Sequence, residues 1–324
     1  MGIQGSPYAD AWKRCAAEVI WSEERSVPES PEITVYVERL QKFTAGHTLE
    51  RVRIAHPFLL RTAEPPVVVL EGRMLADVQR TGKRIVFEFE GDYFLVLHLM
   101  LSGRLQWIER GAGIPRKRGL AALDFPHGTL LIAEPSSQKR VSLHLVQGRE
   151  GLGDFDPGGV DPLNASLDVF RAAIRSENHT LKRALTDQSI VSGIGNAYSD
   201  EILHRARMSP FVLTERVTDE QAARLHEATC EILLERTERL RQDAGEGFPQ
   251  RMEARRDDLA VHGRYGEPCP VCGTPVQRIR YATRETNYCP RCQTGGRLLA
   301  DRALSRLLRD DWPRTIEELE GRRR

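Results

Sequence analysis

The stretch from Cys269 to Cys292, CPVCGTPVQRIRYATRETNYCPRC, places four cysteines in the pattern C-x2-C-x16-C-x2-C. Two such cysteine pairs, each in a tight turn, can face one another and hold a zinc ion tetrahedrally. The intervening Val276, Ile279 and Tyr281 favour β-structure, so a hairpin is predicted between the pairs. Because four thiolates leave no open coordination position, the zinc is predicted to be structural. Its predicted ligands are Cys269, Cys272, Cys289 and Cys292.

Disulfide bonds are the alternative for the same four cysteines, because such bonds persist in exported proteins. Residues 1–27 carry charged side chains along their length and lack a long apolar core, unlike an export signal. The longest apolar run, 93–101, is far shorter than the roughly 18–20 residues of a membrane helix. Zinc is therefore favoured over disulfides, and the chain is predicted to be cytoplasmic, with no membrane contact.

The charge of the chain is almost balanced, with 47 Lys and Arg against 46 Asp and Glu. Its distribution is uneven, because six arginines but only two glutamates lie between Gly263 and Arg297. A basic segment of this kind is typical of a module that contacts a polyanion. A solvated basic surface has the same composition, so charge alone leaves both interpretations open.

N-terminal to the finger, a glycine-containing turn separates two segments with helical periodicity. The turn is Ser189–Tyr198, SIVSGIGNAY, in which Gly193 and Gly195 let the backbone approach a partner closely. Asn196 is predicted to be the N-cap of a helix that starts at Ala197. Free amides at a helix start favour an anion such as a phosphate, although a plain corner between helices has a similar pattern. The segments with helical periodicity are 167–177, 180–187, 197–206 and 219–244.

The N-terminal half has a different pattern of predicted secondary structure, with one helix followed by short strands. Ile33, Tyr36, Val37 and Leu40 give residues 31–43 one apolar helical face. From about residue 49 to residue 145, short β-rich runs alternate with turn signals, which predicts a β-sandwich or a barrel. A linker between domains is predicted at 154–162, DFDPGGVDP. The β-rich runs predicted to be strands include 67–70, 85–89 and 94–97.

Three motifs occur in one order: PESPE at 28–32 before a helix, GIGN at 193–196, and the four-cysteine finger. With these motifs the chain resembles the formamidopyrimidine-DNA glycosylase / endonuclease VIII family, over roughly residues 28–293. The resemblance implies a multidomain α+β fold with an N-terminal β-sandwich and a leading helix, a helical helix–two-turn–helix domain, and a C-terminal zinc-finger hairpin. The domains expected are 28–155, 163–248 and 262–297, with an extension at 1–27 and a tail at 298–324 that contains a helix at 298–308.

The resemblance also implies a bifunctional enzyme of base excision repair that removes oxidised bases from double-stranded DNA and cleaves at abasic sites. The family's nucleophile is the amine of an N-terminal proline, which Pro28 matches. Its attack on the sugar C1′ expels the base and leaves a Schiff base, from which β- or δ-elimination nicks the strand. Glu29 matches the general acid, Glu32 a second carboxylate near the site, and Lys83 a lysine that contacts DNA and assists catalysis.

The residues that the resemblance assigns to DNA contacts lie in several segments. Asn196 and Arg284 match residues that clamp phosphates while the DNA is bent and the base is flipped out. Leu101 stands where the family often has a methionine wedge. The other wedge segment, 135–140, has no aromatic residue, so the opposite base is expected to be recognised differently. The DNA-contacting residues implied are Asn196, Arg284, Leu101, Lys139, Arg140, Gly193 and Gly195.

Pro28 departs from the family pattern because it is not the first residue of this sequence, and an internal proline has no basic amine. Val27 stands where the family has its initiator methionine, and a GUG start codon is written as valine within a longer frame. We therefore expect translation to begin at Val27. The alternative is a catalytically inactive protein that binds damaged DNA on the same scaffold because Pro28 is blocked. The family expectation is a monomer, associated with the nucleoid while it acts on DNA.

Overall fold

The computed structural model describes residues 27–249, 252, 258–281, 284–300 and 314–321. Residues 1–26 of the expected extension and residues 301–308 of the predicted tail helix lie outside the described residues, and 298–300 are not helical. No helix within the described ranges is both long and apolar enough to cross a membrane. The α+β fold predicted from the sequence is confirmed.

The leading helix, α1, spans Ser30–Thr44. Pro31 lies in its first turn, where the missing N–H removes no helical hydrogen bond. The predicted apolar face, which includes Ile33 and Leu40, is buried against the β-sheets. Glu38 of this helix pairs with Arg241 at 2.6 Å, which joins α1 to the helical region. Helix α1 therefore lies between the β-sandwich and the helical region.

Two four-stranded antiparallel sheets form the β-sandwich in the described part of the chain, with orders β1-β6-β7-β5 and β2-β3-β4-β8. Large apolar side chains such as Phe87, Leu95 and Leu123 fill the space between the sheets, and this burial supplies most of the stabilisation. The strands are β1 (Arg51–Ile54), β2 (Leu75–Thr81), β3 (Arg84–Phe89), β4 (Tyr93–His98), β5 (Arg104–Ile108), β6 (Gly119–Phe125), β7 (Gly128–Ala133) and β8 (Ser142–Gln147).

One predicted strand is wrong. Residues Val67–Leu70 form a short 3-10 helix instead of a strand. Pro65 and Pro66 precede this segment, and proline lacks the N–H that a strand ladder needs. Val68 is 57% exposed and Leu70 is buried, while Val67 and Val69 pack partly against the core, so one side of the run faces the core without pairing in a sheet.

The helical region follows with α2 (Leu167–Ile174), α3 (Leu181–Thr186), α4 (Asn196–Arg205) and α5 (Asp219–Ala244). Side-chain oxygens of Ser166, Thr180 and Thr218 cap three of these helices, as the sequence chemistry of N-caps requires. The segment predicted to be a linker is attached to this region, because Val160 pairs with Val191. The finger consists of the hairpin β9 (Gln277–Tyr281) and β10 (Arg284–Tyr288), followed by α6 (Pro290–Thr294).

Candidate active site and nucleic-acid interface

The carboxylate of Glu29 occupies the N-terminus of α4. Gly195 N–H and Tyr198 N–H donate to its Oε2 at 2.5 and 3.3 Å, and Ala197 N–H donates to its Oε1 at 2.9 Å. The sequence predicted an anion at this helix start, and the anion found there is Glu29 itself. The prediction that Asn196 caps a helix beginning at Ala197 is wrong by one residue, because α4 starts at Asn196 and Gly195 is its N-cap.

Gly193 and Gly195 have neighbours so close that a larger side chain would not fit at either position. A Cβ on Gly195 would lie 2.6 Å from the Glu29 Oε1 and 2.8 Å from the Lys83 Nζ, so both charged groups lie against this glycine. Gly193 has a φ of +85°, which disfavours other residues, and a Cβ there would lie 2.8 Å from the Cβ of Ser30. Gly193 O accepts a hydrogen bond from Ser30 N–H at 2.9 Å. The turn thus docks directly onto the start of α1.

Pro28 and Lys83 complete this group of residues. Pro28 is buried immediately before Glu29. Lys83 lies in the two-residue turn between β2 and β3, where Gly82 has a positive φ of +57°. Next to this turn, burial together with the nearby positive charges of Arg84 and Lys83 lowers the pKa of His98 to about 4. The fold therefore brings together Pro28, Glu29, Lys83 and the glycine turn from three distant parts of the chain.

Glu32 is a buried carboxyl next to Glu29. Tyr198 Oη donates to its Oε1 at 2.5 Å, and Glu29 N–H donates to its Oε2 at 2.9 Å. Burial raises the pKa of Glu32 to about 8, and the nearby charge of Glu29 acts in the same direction, while the Tyr198 hydroxyl opposes the shift. The raised pKa favours the protonated form of Glu32 at neutral pH. The sequence did not predict Tyr198 as its partner.

The Glu32→Gln variant is expected to reveal this protonation through the pH dependence of stability. Between the ordinary pKa of 4.5 and the folded-state pKa of about 8, the folded protein holds a proton that the unfolded chain has lost. The free energy of unfolding therefore falls as the pH rises through this window. Glutamine resembles the neutral acid and does not titrate, so the variant should gain melting temperature relative to the wild type from about pH 5 to about pH 8. Parallel pH profiles in thermal unfolding would contradict a neutral Glu32.

A second group of predicted DNA-contacting residues lies in two loops of the β-sandwich. Leu101 is 39% exposed in the loop after β4, and Arg140 is exposed in the loop before β8. Glu134, only 1% exposed, ties the loops together, accepting from Ser102 Oγ at 3.2 Å and from Arg140 N–H at 2.8 Å. Lys139 Nζ donates to the carbonyl oxygens of Lys117 and Glu134. Sequence analysis missed Glu134, because its partners are brought together only by the fold.

The finger is attached to α4 through buried charges. Asp200 Oδ1 accepts from Lys182 Nζ at 2.5 Å, and its Oδ2 lies 2.8 Å from His262 Nδ1 and accepts from Asn287 N–H at 3.0 Å. Lys182 Nζ also donates to Asn196 O at 2.7 Å. The Lys182 ammonium helps to hold the pKa of the Asp200 carboxyl below its usual range, against the effect of burial. This network links the glycine turn to β10, whose first residue is Arg284.

A neighbouring carboxylate, Glu201, holds the segment that leads into the finger. Its Oε2 accepts from Ala260 N–H at 2.7 Å, and its Oε1 accepts from Val261 and His262 N–H, both at 2.9 Å. Glu201 is only 2% exposed. Two successive acidic residues of α4 therefore attach the finger, a role that sequence analysis missed because helical acidic residues are usually solvated.

The four predicted zinc ligands lie together in the finger. Cys269 Sγ and Cys292 Sγ are 3.9 Å apart, and Cys272 Sγ and Cys289 Sγ are 3.4 Å apart. Tetrahedral zinc with Zn–S bonds of about 2.3 Å separates its sulfur ligands by about 3.8 Å. The cysteines therefore fit a structural zinc ion, which would cross-link the two turns at the base of the hairpin.

Three family models match the chain in succession. They are the formamidopyrimidine-DNA glycosylase N-terminal domain at residues 27–150, the formamidopyrimidine-DNA glycosylase H2TH domain at 159–244, and the zinc finger found in FPG and IleRS at 266–295. The last of these supports zinc as the metal of the four-cysteine cluster.

Relatives and solved structures extend the match to most of the chain. The formamidopyrimidine-DNA glycosylase of Thermus thermophilus is 34% identical over 287 residues, which cover 83% of this chain and 100% of the relative. An uncharacterized formamidopyrimidine-DNA glycosylase-like protein of Mycobacterium tuberculosis is 42% identical over 151 residues, 47% of this chain and 94% of that protein. Lactococcus lactis Fpg in complex with DNA that contains an abasic site has a TM-score of 0.73 at 26% identity, and the match covers 82% of this chain and 99% of that one.

The three domain matches follow the order of the β-sandwich, the helices and the finger, and the Thermus relative aligns over its whole length. The chain therefore belongs to the formamidopyrimidine-DNA glycosylase family.

Proposed function

We propose that the protein is a DNA glycosylase and abasic-site lyase of base excision repair, with Pro28 as nucleophile. The observation that carries this proposal is the convergence of Pro28, Glu29 and Lys83 at the glycine turn. These residues come from the start of α1 and from the turn between β2 and β3, so their meeting is a property of the fold. The substrate proposed is double-stranded DNA that carries oxidised bases or abasic sites.

The chemistry requires a free amine at Pro28. A secondary amine attacks C1′ of the sugar, the bond to the damaged base breaks, and an iminium forms after ring opening. The Glu29 carboxylate is proposed to take up the proton that the Pro28 nitrogen releases and to pass it to the sugar ring oxygen as the ring opens. The Lys83 ammonium, which lies on the β-sandwich side of the site, is proposed to assist. The iminium then acts as an electron sink for β- and δ-elimination, which nicks the strand.

We further propose that the active protein begins at Pro28, after translation from Val27 and removal of the initiator methionine. The match to the family's N-terminal domain begins at Val27, the residue before the proposed nucleophile. Amide formation at Pro28 would remove the lone pair that the reaction needs. Intact-mass analysis of the native protein that found residues 1–27 attached would contradict this start site.

Borohydride trapping on DNA with an abasic site tests the proposed function. Borohydride reduces the iminium and leaves a covalent protein–DNA adduct, so the chain that begins at Pro28 is expected to be trapped. The 324-residue chain should bind the same DNA but give no adduct. Binding without trapping by both chains would instead support an inactive protein on the same scaffold.

Phosphate contacts are proposed for Asn196 and Arg284, and intrusion into the duplex for Leu101, with Lys139 and Arg140 on the neighbouring loop. Asn196 is partly exposed at the start of α4, and Leu101 is exposed at its loop. The left-handed φ of Met100, +54°, turns the chain sharply just before Leu101. Gly193 and Gly195 shape the turn that presents Asn196.

Substitution of Asn196 or Arg284 is expected to weaken binding to damaged and undamaged duplexes alike, because phosphate contacts carry no sequence information. Arg284→Ala should also reduce the salt dependence of binding by roughly one unit of slope. Asn196→Ala removes no charge and should leave that slope unchanged, which makes it the matched control. Binding isotherms at several salt concentrations measure both effects. A changed lesion preference at unchanged general affinity would contradict both assignments.

Removal of zinc is expected to weaken DNA binding while the β-sandwich stays folded. The finger depends on its metal because it has a small core of its own, whereas the β-sandwich has a large one. Chelation or the Cys289→Ser variant should therefore lower affinity for damaged DNA with little change in the β-sheet circular dichroism. Unchanged affinity after verified loss of zinc would contradict a role of the finger in binding.

A further inference from the structure

A fifth donor group lies beside the four cysteines of the finger. His204 Nε2, on α4, is 3.3 Å from Cys269 Sγ, and the imidazole is only 6% exposed. The donor atoms of His204, Cys269, Cys289 and Cys292 all lie within 4.8 Å of one another. The structure thus contains two overlapping sets of four donors, which share three thiols.

Both sets suit zinc. Structural zinc sites are commonly built from four cysteines or from three cysteines and one histidine. With Zn–N of about 2.0 Å and Zn–S of about 2.3 Å, a tetrahedral ion separates nitrogen from sulfur by about 3.5 Å. The observed 3.3 Å between His204 Nε2 and Cys269 Sγ is close to this separation. Because structural zinc binds four ligands, one of the five groups must remain outside the coordination sphere.

The two sets differ at Cys272, which, like Cys292, is only half-buried. Cys269 and Cys289 are 2% and 0% exposed, whereas Cys272 is half-buried and follows Val271, which is 60% exposed. Reagents from solvent therefore reach the Cys272 thiolate before the Cys269 and Cys289 thiolates. His204 lies on the protected side, on the helix that also holds the finger through Asp200 and Glu201.

We propose that His204 is a reserve ligand of the zinc centre. While all four thiolates bind the ion, its Nε2–H donates a hydrogen bond to Cys269 Sγ. When an electrophile alkylates the Cys272 sulfur and releases its own leaving group, the bond from zinc to that sulfur breaks and a bond from zinc to His204 Nε2 forms in its place. The imidazole proton then resides on Nδ1, after exchange with solvent, so that Nε2 offers its lone pair. Three ligands are kept throughout, and the finger remains attached to α4.

The experiment compares the Cys272→Ala and Cys289→Ala variants of the full chain, each with His204 and with His204→Phe. Zinc content is measured after dialysis against a competing chelator, and cobalt(II) absorption identifies the ligands. Cys272→Ala is expected to keep one metal ion, with d–d bands at shorter wavelength than the wild type, because imidazole is a stronger-field ligand than thiolate. Adding His204→Phe removes the fourth ligand and should weaken metal binding by at least roughly 10–100-fold, the loss that even an outer-shell partner causes.

Cys289→Ala is the matched control, because Cys289 belongs to both donor sets and Cys272 lies outside the compact group that contains His204. This variant should lose its metal whether or not His204 is present. His204→Phe alone should keep zinc and the four-thiolate cobalt spectrum. Equal metal retention by Cys272→Ala with and without His204 would overturn the proposal, as would loss of metal from both Cys272→Ala and the smaller change Cys272→Ser. These readouts are independent of DNA and of enzymatic activity.

Discussion

Acetylation of the Pro28 amine, in a chain that begins at Pro28, is expected to reduce borohydride trapping on abasic-site DNA to background. The acetyl group converts the amine to an amide, whose nitrogen lone pair is delocalised and cannot form an iminium. DNA binding should persist, because the proposed phosphate contacts lie on α4 and on the finger. The measurement is the yield of covalent adduct on a denaturing gel, beside a binding isotherm for the same preparation.

Two variants test whether a loss of trapping after acetylation identifies Pro28 as the nucleophile. Pro28→Gly keeps a terminal amine but makes it primary and more mobile, so trapping should fall without vanishing. Lys83→Ala leaves the Pro28 amine intact and should still be trapped. An acetylated chain that still gave full adduct would place the nucleophile elsewhere. Lys83 would then be the first residue to examine, since its Nζ lies against Gly195 in the same site.

Glu29→Gln is expected to slow excision of an oxidised base by roughly 10²–10⁴-fold, the usual worth of general acid–base catalysis. Cleavage at a pre-formed abasic site should suffer less, because that sugar already opens to an aldehyde and no base has to be expelled. The informative quantity is the ratio of the two losses, measured in single turnovers with saturating enzyme. Equal losses in both reactions would show that Glu29 is not the acid that assists ring opening.

Glu29→Gln is also expected to lower the stability of the protein, and this second effect needs its own control. Both oxygens of Glu29 accept backbone N–H groups at the start of α4, whereas a glutamine offers one acceptor oxygen. The buried backbone N–H left without an acceptor should cost about 1–3 kcal/mol of stability. Glu201→Gln imposes the same loss, because Glu201 also accepts three backbone N–H groups, but at the finger side of α4. It should lower the melting temperature similarly while leaving the ratio of the two reactions unchanged.

The features that could be predicted from the sequence are those that depend on the spacing of residues close together in the chain. The C-x2-C pairs indicated the finger, and apolar residues at helical spacing placed α1 and α5, the latter with its observed bounds, 219–244. The prediction of a strand at 67–70 was wrong because β-branched composition does not reveal whether a neighbouring strand is available.

Contacts between distant segments could not be predicted. Glu29 and Gly195 are 166 positions apart, so the anion at the helix start was expected to be a phosphate, although the protein supplies its own carboxylate. Tyr198 and Glu32 are equally distant, and neither shows its partner in the sequence. His204 gives no signal at all, because a histidine inside a helix is ordinary until the fold places it beside Cys269.

The contact between Glu29 and Gly195 has a consequence for the order of events on the ribosome. The turn that closes on Glu29 is synthesised 166 residues later than Glu29 itself. At about 5–20 residues per second, that interval lasts roughly 8 to 33 s. If translation begins at Val27, the initiator methionine can be removed during this interval, before the glycine turn docks on the start of α1. The proposed nucleophile would then be formed before the site that surrounds it.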